Sequence, residues 1–376
     1  MAALTVLYVS PHGDLGGAER VTMDLIALHD RSRVRPQVCF LRDGPLVKVC
    51  RDELHVPTDV VPAPALKRYL AGRHVVRTLA DRIEWSGVDL VHSAMAWGHV
   101  YGGRAAGRAR RPAVWFQHVG ASWDSGIEAW ASLVKARTII ANSEFTAVGQ
   151  RRVNPRRIPI EVVHPGTRLP EEPLELRRAR ARALLGIGDD EFAVGIAARL
   201  QPWKGQEVVI RAAASLIHAR PHARCFIIGG ALFGLDGEWA AGLPKLAAQL
   251  GVGERVTFTG FRDDVIACLA GLDVAIHASV RPEPFGLGLI EAMANGVALV
   301  AADGGATREI VTPGEDGLLV PPGDHEALAT ALLMQCDNPD RRAALAEAGE
   351  RTARDRFDVR LMVRRLEDLY QAIASR

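Results

Sequence analysis

Residues 4–29, LTVLYVSPHGDLGGAERVTMDLIALH, join an apolar run, a glycine-bearing turn and an amphipathic stretch, in that order. The run Leu4–Val9 has the unbroken hydrophobicity of a strand covered on both faces, as strands of a parallel sheet are. Ala18–His29 carries the spacing of a helix with one apolar face. Strand, tight turn and helix make half of a βαβ unit. Outward from this start the same unit recurs. Gln37–Leu41, Asp89–His92, Ala113–Gln117 and Thr138–Ala141 read as further buried strands, with His74–Trp85 as a helix among them. Over Arg151–Arg182 the rhythm pauses at Pro155, Pro159, Pro165, Pro170 and Pro173, the punctuation expected of an inter-domain linker. It then restarts with strands at Phe192–Ala197, Cys225–Gly229, Arg255–Thr259, Val274–His277 and Ala298–Ala301. Helices fit Gly205–Ala219, Trp239–Leu250, Gly286–Ala294, Glu326–Cys336 and Val359–Ala374. The expected fold class is α/β: two Rossmann-like, doubly wound parallel-sheet domains, with ligand in the cleft between them at the carboxyl ends of the strands.

Composition bounds the class. The chain has 376 residues, 46 Lys+Arg against 44 Asp+Glu, and a formal net charge of +2, so no concentrated basic excess marks a nucleic-acid binder. The five cysteines are odd in number and form no CxxC, which reads as buried thiols in a reducing cytosol. No apolar run approaches a membrane span, and Leu4–Val9 lacks the flanks of a signal peptide, so a cytoplasmic location is expected.

Three places carry chemistry. Asp14-Leu-Gly16-Gly17-Ala-Glu-Arg20 follows the first strand and opens a helix, where backbone can approach a ligand and helix N–H groups can meet an anion. It is not GxGxxG, which disfavours a dinucleotide. Arg199 follows strand Phe192–Ala197, and Lys204-Gly205 stands five positions later at a helix start. A planar fork, a point charge and a helix dipole together suit a diphosphate. Only five of the cations are lysines, which makes the placement of Lys204 more telling. Third is Arg281-Pro-Glu283-Pro-Phe-Gly-Leu-Gly-Leu-Ile-Glu291, two carboxylates in the pattern E-x7-E. The first falls in a loop after a strand and the second lies inside the following helix, with the amides of Phe285, Gly286 and Leu287 between them. Carboxylates accept from sugar or ribose hydroxyls, although an acid pair at a helix start also complements the macrodipole.

These residues in this order resemble the retaining GT-B glycosyltransferases of the family 4 type. Ala141-Asn-Ser143, Val256-Thr-Phe-Thr-Gly260, Gly304-Gly305-Ala-Thr-Arg-Glu309 and Leu366-Glu-Asp-Leu-Tyr370 extend the likeness over nearly the whole chain. The resemblance implies an N-terminal acceptor-binding domain of residues 1–168 plus 358–376, the final helix crossing back to it. A nucleotide-sugar-binding domain would occupy 169–357. It implies that Arg199 and Lys204 hold the donor's diphosphate, Glu283 the transferred sugar and Glu291 the ribose hydroxyls. Phe285, Gly286 and Leu287 would donate backbone N–H groups, and Phe261 and Arg262 would border the base. Gly16 and Gly17 would approach the phosphate and acceptor, and His118 would lie near the sugar's hydroxymethyl group. Departures are Ala198 before the clamp, where the family has glycine, and His164-Pro-Gly166-Thr-Arg in place of Asn-Gly-Val-Asp.

The function so implied is transfer of a hexosyl or N-acetylhexosaminyl group from a nucleotide-diphosphate sugar, UDP-linked by its frequency in the family. The acceptor would be a hydroxyl of a small molecule such as an aminocyclitol. Attack comes from the same face, and the leaving phosphate takes the proton. No cofactor is expected, and the lack of any Asp-x-Asp speaks against a catalytic divalent metal. A lipid acceptor at a membrane, a nucleotide-sugar epimerase and a non-enzymatic sugar-nucleotide scaffold are the alternatives. His12, His92, His99, His164 and His277 read as loop or strand-end histidines, and Trp97, Trp115, Trp123 and Trp130 as core or as an aromatic wall near His118.

Overall fold

The computed structural model describes residues 3–64, 69–231 and 237–375. The chain forms two compact units, Met1–Gly166 with Val359–Arg376, and Thr167–Asp358. In the first, seven strands are β1 (Leu4–Ser10), β2 (Val34–Phe40), β3 (Thr58–Val60), β4 (Leu90–Ala94), β5 (Ala113–Gln117), β6 (Thr138–Ala141) and β7 (Ile160–Val162). Their order across the sheet is β3-β2-β1-β4-β5-β6-β7, and every neighbouring pair is parallel. The second unit has β8 (Phe192–Ala197), β9 (Ala223–Ile228), β10 (Val256–Gly260), β11 (Val274–His277), β12 (Ala298–Ala302) and β13 (Leu318–Val320). These order as β10-β9-β8-β11-β12-β13, again all parallel. Each sheet reverses its direction of growth once, at β1/β4 and at β8/β11. At such switch points the loops leaving adjacent strands part to opposite faces and open a crevice.

The apolar runs are explained by helices on both faces. In the second unit Val194, Ile196, Ile227 and Val300 meet helices Gln206–Ala219, Gly237–Gln249 and His325–Asp337. The alternate positions Ala193, Phe226, Ile228 and Leu299 meet helices Leu287–Ala294 and Pro339–Phe357. Period-two alternation with both faces apolar leaves no polar face, hence no visible alternation in the sequence.

The proline-rich stretch departs from the linker expectation. The boundary at Gly166 falls inside it, but Ile160–Val162 is the edge strand β7 and Leu174–Leu185 is a helix with Pro173 as its N-cap. Prolines tolerate both places, because edge strands and helix starts need fewer backbone donors. Where the chain enters the second unit it also leaves it: the Thr167 amide donates to the Phe357 carbonyl at 2.8 Å, and Thr167 bridges Asp358 in parallel.

Helix Val359–Ala374 completes the first unit by a buried polar network. Glu367, 2% exposed, accepts from His29 Nδ1 at 3.0 Å, the Asp30 amide at 2.9 Å and Arg33 Nη1 at 3.0 Å. Since a carboxylate only accepts, His29 carries its proton on Nδ1, and its Nε2 accepts from the Tyr8 hydroxyl at 2.6 Å. Tyr370 meets Tyr8 at 3.2 Å and His92 Nδ1 at 2.6 Å.

Burial holds several imidazoles of this unit neutral: His92 lies well below the ordinary 6.5, His99 near about 4 and His118 near about 3. Each regains its normal proton affinity on unfolding. The unfolded chain therefore binds more protons as pH falls below 6.5, and stability is lost in that direction. At pH 5 His99 and His118 should each cost about 2 kcal/mol relative to pH 7, and His92 acts in the same direction. Denaturant midpoints at the two pH values check this, and His118→Gln should flatten the dependence by about one proton. Equal stability at both would contradict it.

Candidate active site

The second unit's switch point is built by two loops locked together. After β8 the chain passes Ala198 and Arg199 into a short 3-10 turn, Pro202–Lys204, and then helix Gln206–Ala219. Gln206, fully buried, donates its Nε2 to the Arg199 carbonyl at 2.8 Å, which fixes the backbone from which Arg199 projects. Gly205 has φ +77, and a Cβ there would overlap the carbonyl of Ala278 in the loop after β11. Glycine is needed for both reasons. The Val280 amide donates to the Trp203 carbonyl at 2.8 Å and closes the same seam.

This seam brings Lys204 and Glu283 together. Lys204 Nζ lies 3.0 and 2.9 Å from the two carboxylate oxygens of Glu283, and 4.0 Å from the ring centroid of Trp203. Ser279 Oγ donates to Glu283 Oε2 at 2.7 Å, and His277 Nε2 stands 3.4 Å from the same oxygen. From the other side the Ala306 amide donates to the Glu283 carbonyl at 2.9 Å. Gly305, at φ +65, presses so close to Glu283 that a side chain there would collide with its backbone. Glu283 is 8% exposed. Burial disfavours its charge, but the hydrogen bond from His277 and the charge of Lys204 outweigh it and hold the carboxyl far below the usual range. The result is an ionised carboxylate and a cation at the carboxyl edge of a parallel sheet.

The remaining positions sort themselves around this pair. Phe285 is buried against Phe357, with ring centroids 6.0 Å apart. Gly286 caps helix Leu287–Ala294, so the first-turn amides follow directly on the Glu283 loop. Glu291 lies within that helix and is 7% exposed. Phe261, just past β10, is 57% exposed, whereas Arg262 is engaged by Asp264 in a two-bond fork with both distances 2.7 Å.

Gly16, Gly17 and His118 belong to the first unit. Gly16 caps helix Gly17–Leu28 at the end of the loop after β1. His118 follows β5, its ring 4.2 Å from that of Phe116, and its buried Nε2 has no hydrogen-bond partner among the described residues. The tryptophans do not gather into one wall. Trp115 is buried in β5 and stacks on His99 at 5.0 Å, Trp97 packs on His12 at 5.3 Å beneath Arg42, and Trp123 is exposed. Sequence reading left out Ser279, Trp203 and Gln206 and treated His277 as a strand end. Their roles depend on which loop faces which, and no spacing along the chain announces that.

Against known proteins, the family model for glycosyl transferases group 1 matches residues 178–352, and that for glycosyltransferase family 4 matches 15–169. A D-inositol 3-phosphate glycosyltransferase of Streptomyces avermitilis is 34% identical over 224 residues, 58% of this chain and 48% of that protein. The chain thus aligns with about half the length of that curated relative. EpsD of Bacillus subtilis is 29% identical over 315 residues, 79% of this chain and 80% of that protein. Among solved structures, HepE of Anabaena in complex with UDP-glucose superposes with a TM-score of 0.84 at 28% identity, covering 98% of this chain and 100% of that one.

Proposed function

The chain belongs to the family 4 glycosyltransferases and has their GT-B fold, and from that premise we propose that it transfers a hexosyl group from a nucleotide-diphosphate sugar to an acceptor hydroxyl. The observation that carries the reading is the Lys204–Glu283 pair at the β8/β11 switch point. A buried ion pair is a poor device for stability alone, since desolvation cancels much of the attraction. A cation for phosphate beside a carboxylate for sugar hydroxyls is what a sugar diphosphate requires.

We assign the donor to the second unit. Arg199 and Lys204 hold the diphosphate, Glu283 the sugar and Glu291 the ribose. Backbone amides of Phe285, Gly286 and Leu287 reach sugar and phosphate, and Phe261 and Arg262 border the base. The first unit takes the acceptor, with Gly16 and Gly17 at the loop after β1. His118, kept neutral by burial, is assigned to a sugar hydroxyl. The sugar–phosphate bond loosens into an oxocarbenium-like state, and negative charge gathers on the departing diphosphate. Preorganised cations and helix amides stabilise that charge without reorganising. The acceptor attacks from the face the phosphate leaves, gives that phosphate its proton, and configuration is retained. In this reading the cations and the helix amides stabilise that charge by themselves.

UDP-glucose is the first donor to test, since HepE was solved with it. A small polyol acceptor such as an aminocyclitol is favoured, and no described helix is long and apolar enough to cross a membrane. Thermal unfolding with UDP-, GDP- and dTDP-sugars tests the donor. At a concentration about 100 times Kd the true donor should add about 2.7 kcal/mol of stability. No shift with any of them would sink the reading. The anomeric configuration of the product, read by NMR, tests retention.

A further inference from the structure

The Glu283 carboxylate is held on several sides in the resting protein, and one of its partners is the group assigned above to the diphosphate. Lys204 Nζ reaches both oxygens, at 3.0 and 2.9 Å. When Nζ turns to phosphate, a carboxylate that is 8% exposed keeps two side-chain donors among the described residues. One is Ser279 Oγ at 2.7 Å, and the other is His277 Nε2, which stands 3.4 Å from Glu283 Oε2 and 3.4 Å from Ser279 Oγ. A buried carboxylate that loses a donor without replacement either moves or takes up a proton, and both changes would spoil its grip on hydroxyl groups.

His277 is built to supply that replacement. It is the last residue of β11, paired in register with Ala301 of β12, so its ring springs from rigid backbone. Its side chain is 12% exposed. The other ring nitrogen, Nδ1, is buried without a hydrogen-bond partner among the described residues, and the residue borders a small cavity lined in part by Val208, Ala302, Val320 and Leu328. On that side Asp324 caps helix His325–Asp337, its Oδ1 accepting from the amides of Glu326 and Ala327. In an apolar wall an unpaired lone pair is tolerated better than an unpaired N–H, so the ring proton belongs on Nε2, toward Glu283.

We propose that His277 is a positioning residue for donor recognition: through Nε2–H it keeps Glu283 ionised and oriented while Lys204 engages the phosphates. This rests on the donor assignment of Lys204 and Glu283. The consequence is a division of labour. Loss of His277 should weaken the hold on the sugar and leave the hold on the nucleotide intact.

Calorimetric titration of UDP and of UDP-glucose, or of GDP and GDP-mannose if that pair binds, separates the two. His277→Leu should bind the free nucleotide as the wild type does, and bind the nucleotide sugar roughly ten- to a hundredfold more weakly, the range for a lost hydrogen bond to a charged group. His277→Gln, which restores an N–H in similar reach, should recover most of that loss. In a Glu283→Gln background, His277→Leu should change nothing further. Equal weakening of both ligands, or a full additional loss in the Glu283→Gln background, would overturn the positioning role and leave the donor assignment standing. A wild-type protein that binds neither pair would overturn both.

Discussion

Replacing Lys204 with methionine should lower turnover by about 10²–10³-fold, the usual loss when one preorganised charge-stabilising donor is removed. The same change should lower stability by about 3–5 kcal/mol, because it leaves the buried Glu283 carboxylate, still hydrogen-bonded by Ser279, without its lysine cation. The two effects have different origins and can be separated. Lys204 and Glu283 side chains are 17% and 10% exposed, so neither charge can relax far into solvent. The double variant Lys204→Met with Glu283→Gln removes the pair as a whole, and it should recover most of the lost stability while staying inactive. Kinetics with a radiolabelled donor, together with denaturant midpoints of the three proteins, decide the matter. Normal turnover in the single variant would refute the assignment of Lys204 to the diphosphate. Failure of the double variant to regain stability would show that the pair is not the coupled unit described.

The second large effect lies far from the chemistry. Glu367→Ala should destabilise the protein by about 3–5 kcal/mol. The carboxylate satisfies His29 Nδ1, the Asp30 amide and Arg33 at once, and its removal leaves the buried His29 Nδ1 and the part-buried Asp30 amide without their acceptor. Arg33→Ala is the control. Its side chain is 34% exposed, and its second bond, to Asp368, is at the surface, so about 1 kcal/mol or less is expected. Urea unfolding of the two variants should rank them in that order. Similar losses would mean that the network behaves as a surface ion pair.

Much of this architecture could be read from the chain because hydrophobic runs in a parallel sheet are unbroken. β5, β6, β8 and β11 have the bounds that their apolar runs predict. What escaped were short edge strands: Thr58–Val60, Ile160–Val162 and Leu318–Val320 are only partly buried and span three residues each. Helix Pro339–Phe357 escaped for a different reason. Its first turns are rich in charge and alanine, and its anchors Leu345, Gly349, Ala353 and Phe357 are spaced by fours among arginines. In the candidate site the charged residues were legible from their spacing, since Lys204 and Glu283 each follow a strand by a few positions. Ser279 and Trp203 lie in loops, and His277 at a strand end, that become neighbours only when β8 and β11 pair. No one-dimensional pattern encodes that.

The joined crossings at Thr167 and Asp358 bear on how the molecule is made. Because the chain enters and leaves the second unit at one place, residues 167–358 are topologically an insertion whose ends meet. Such a segment can close on itself as soon as it has emerged from the ribosome. The first unit cannot. Tyr8, His29 and His92 wait for Glu367 and Tyr370, which are synthesised only after the whole of the second unit. The first unit is therefore begun before the second and completed after it, and a truncated chain that ends before residue 359 should carry a complete second unit and an open first one.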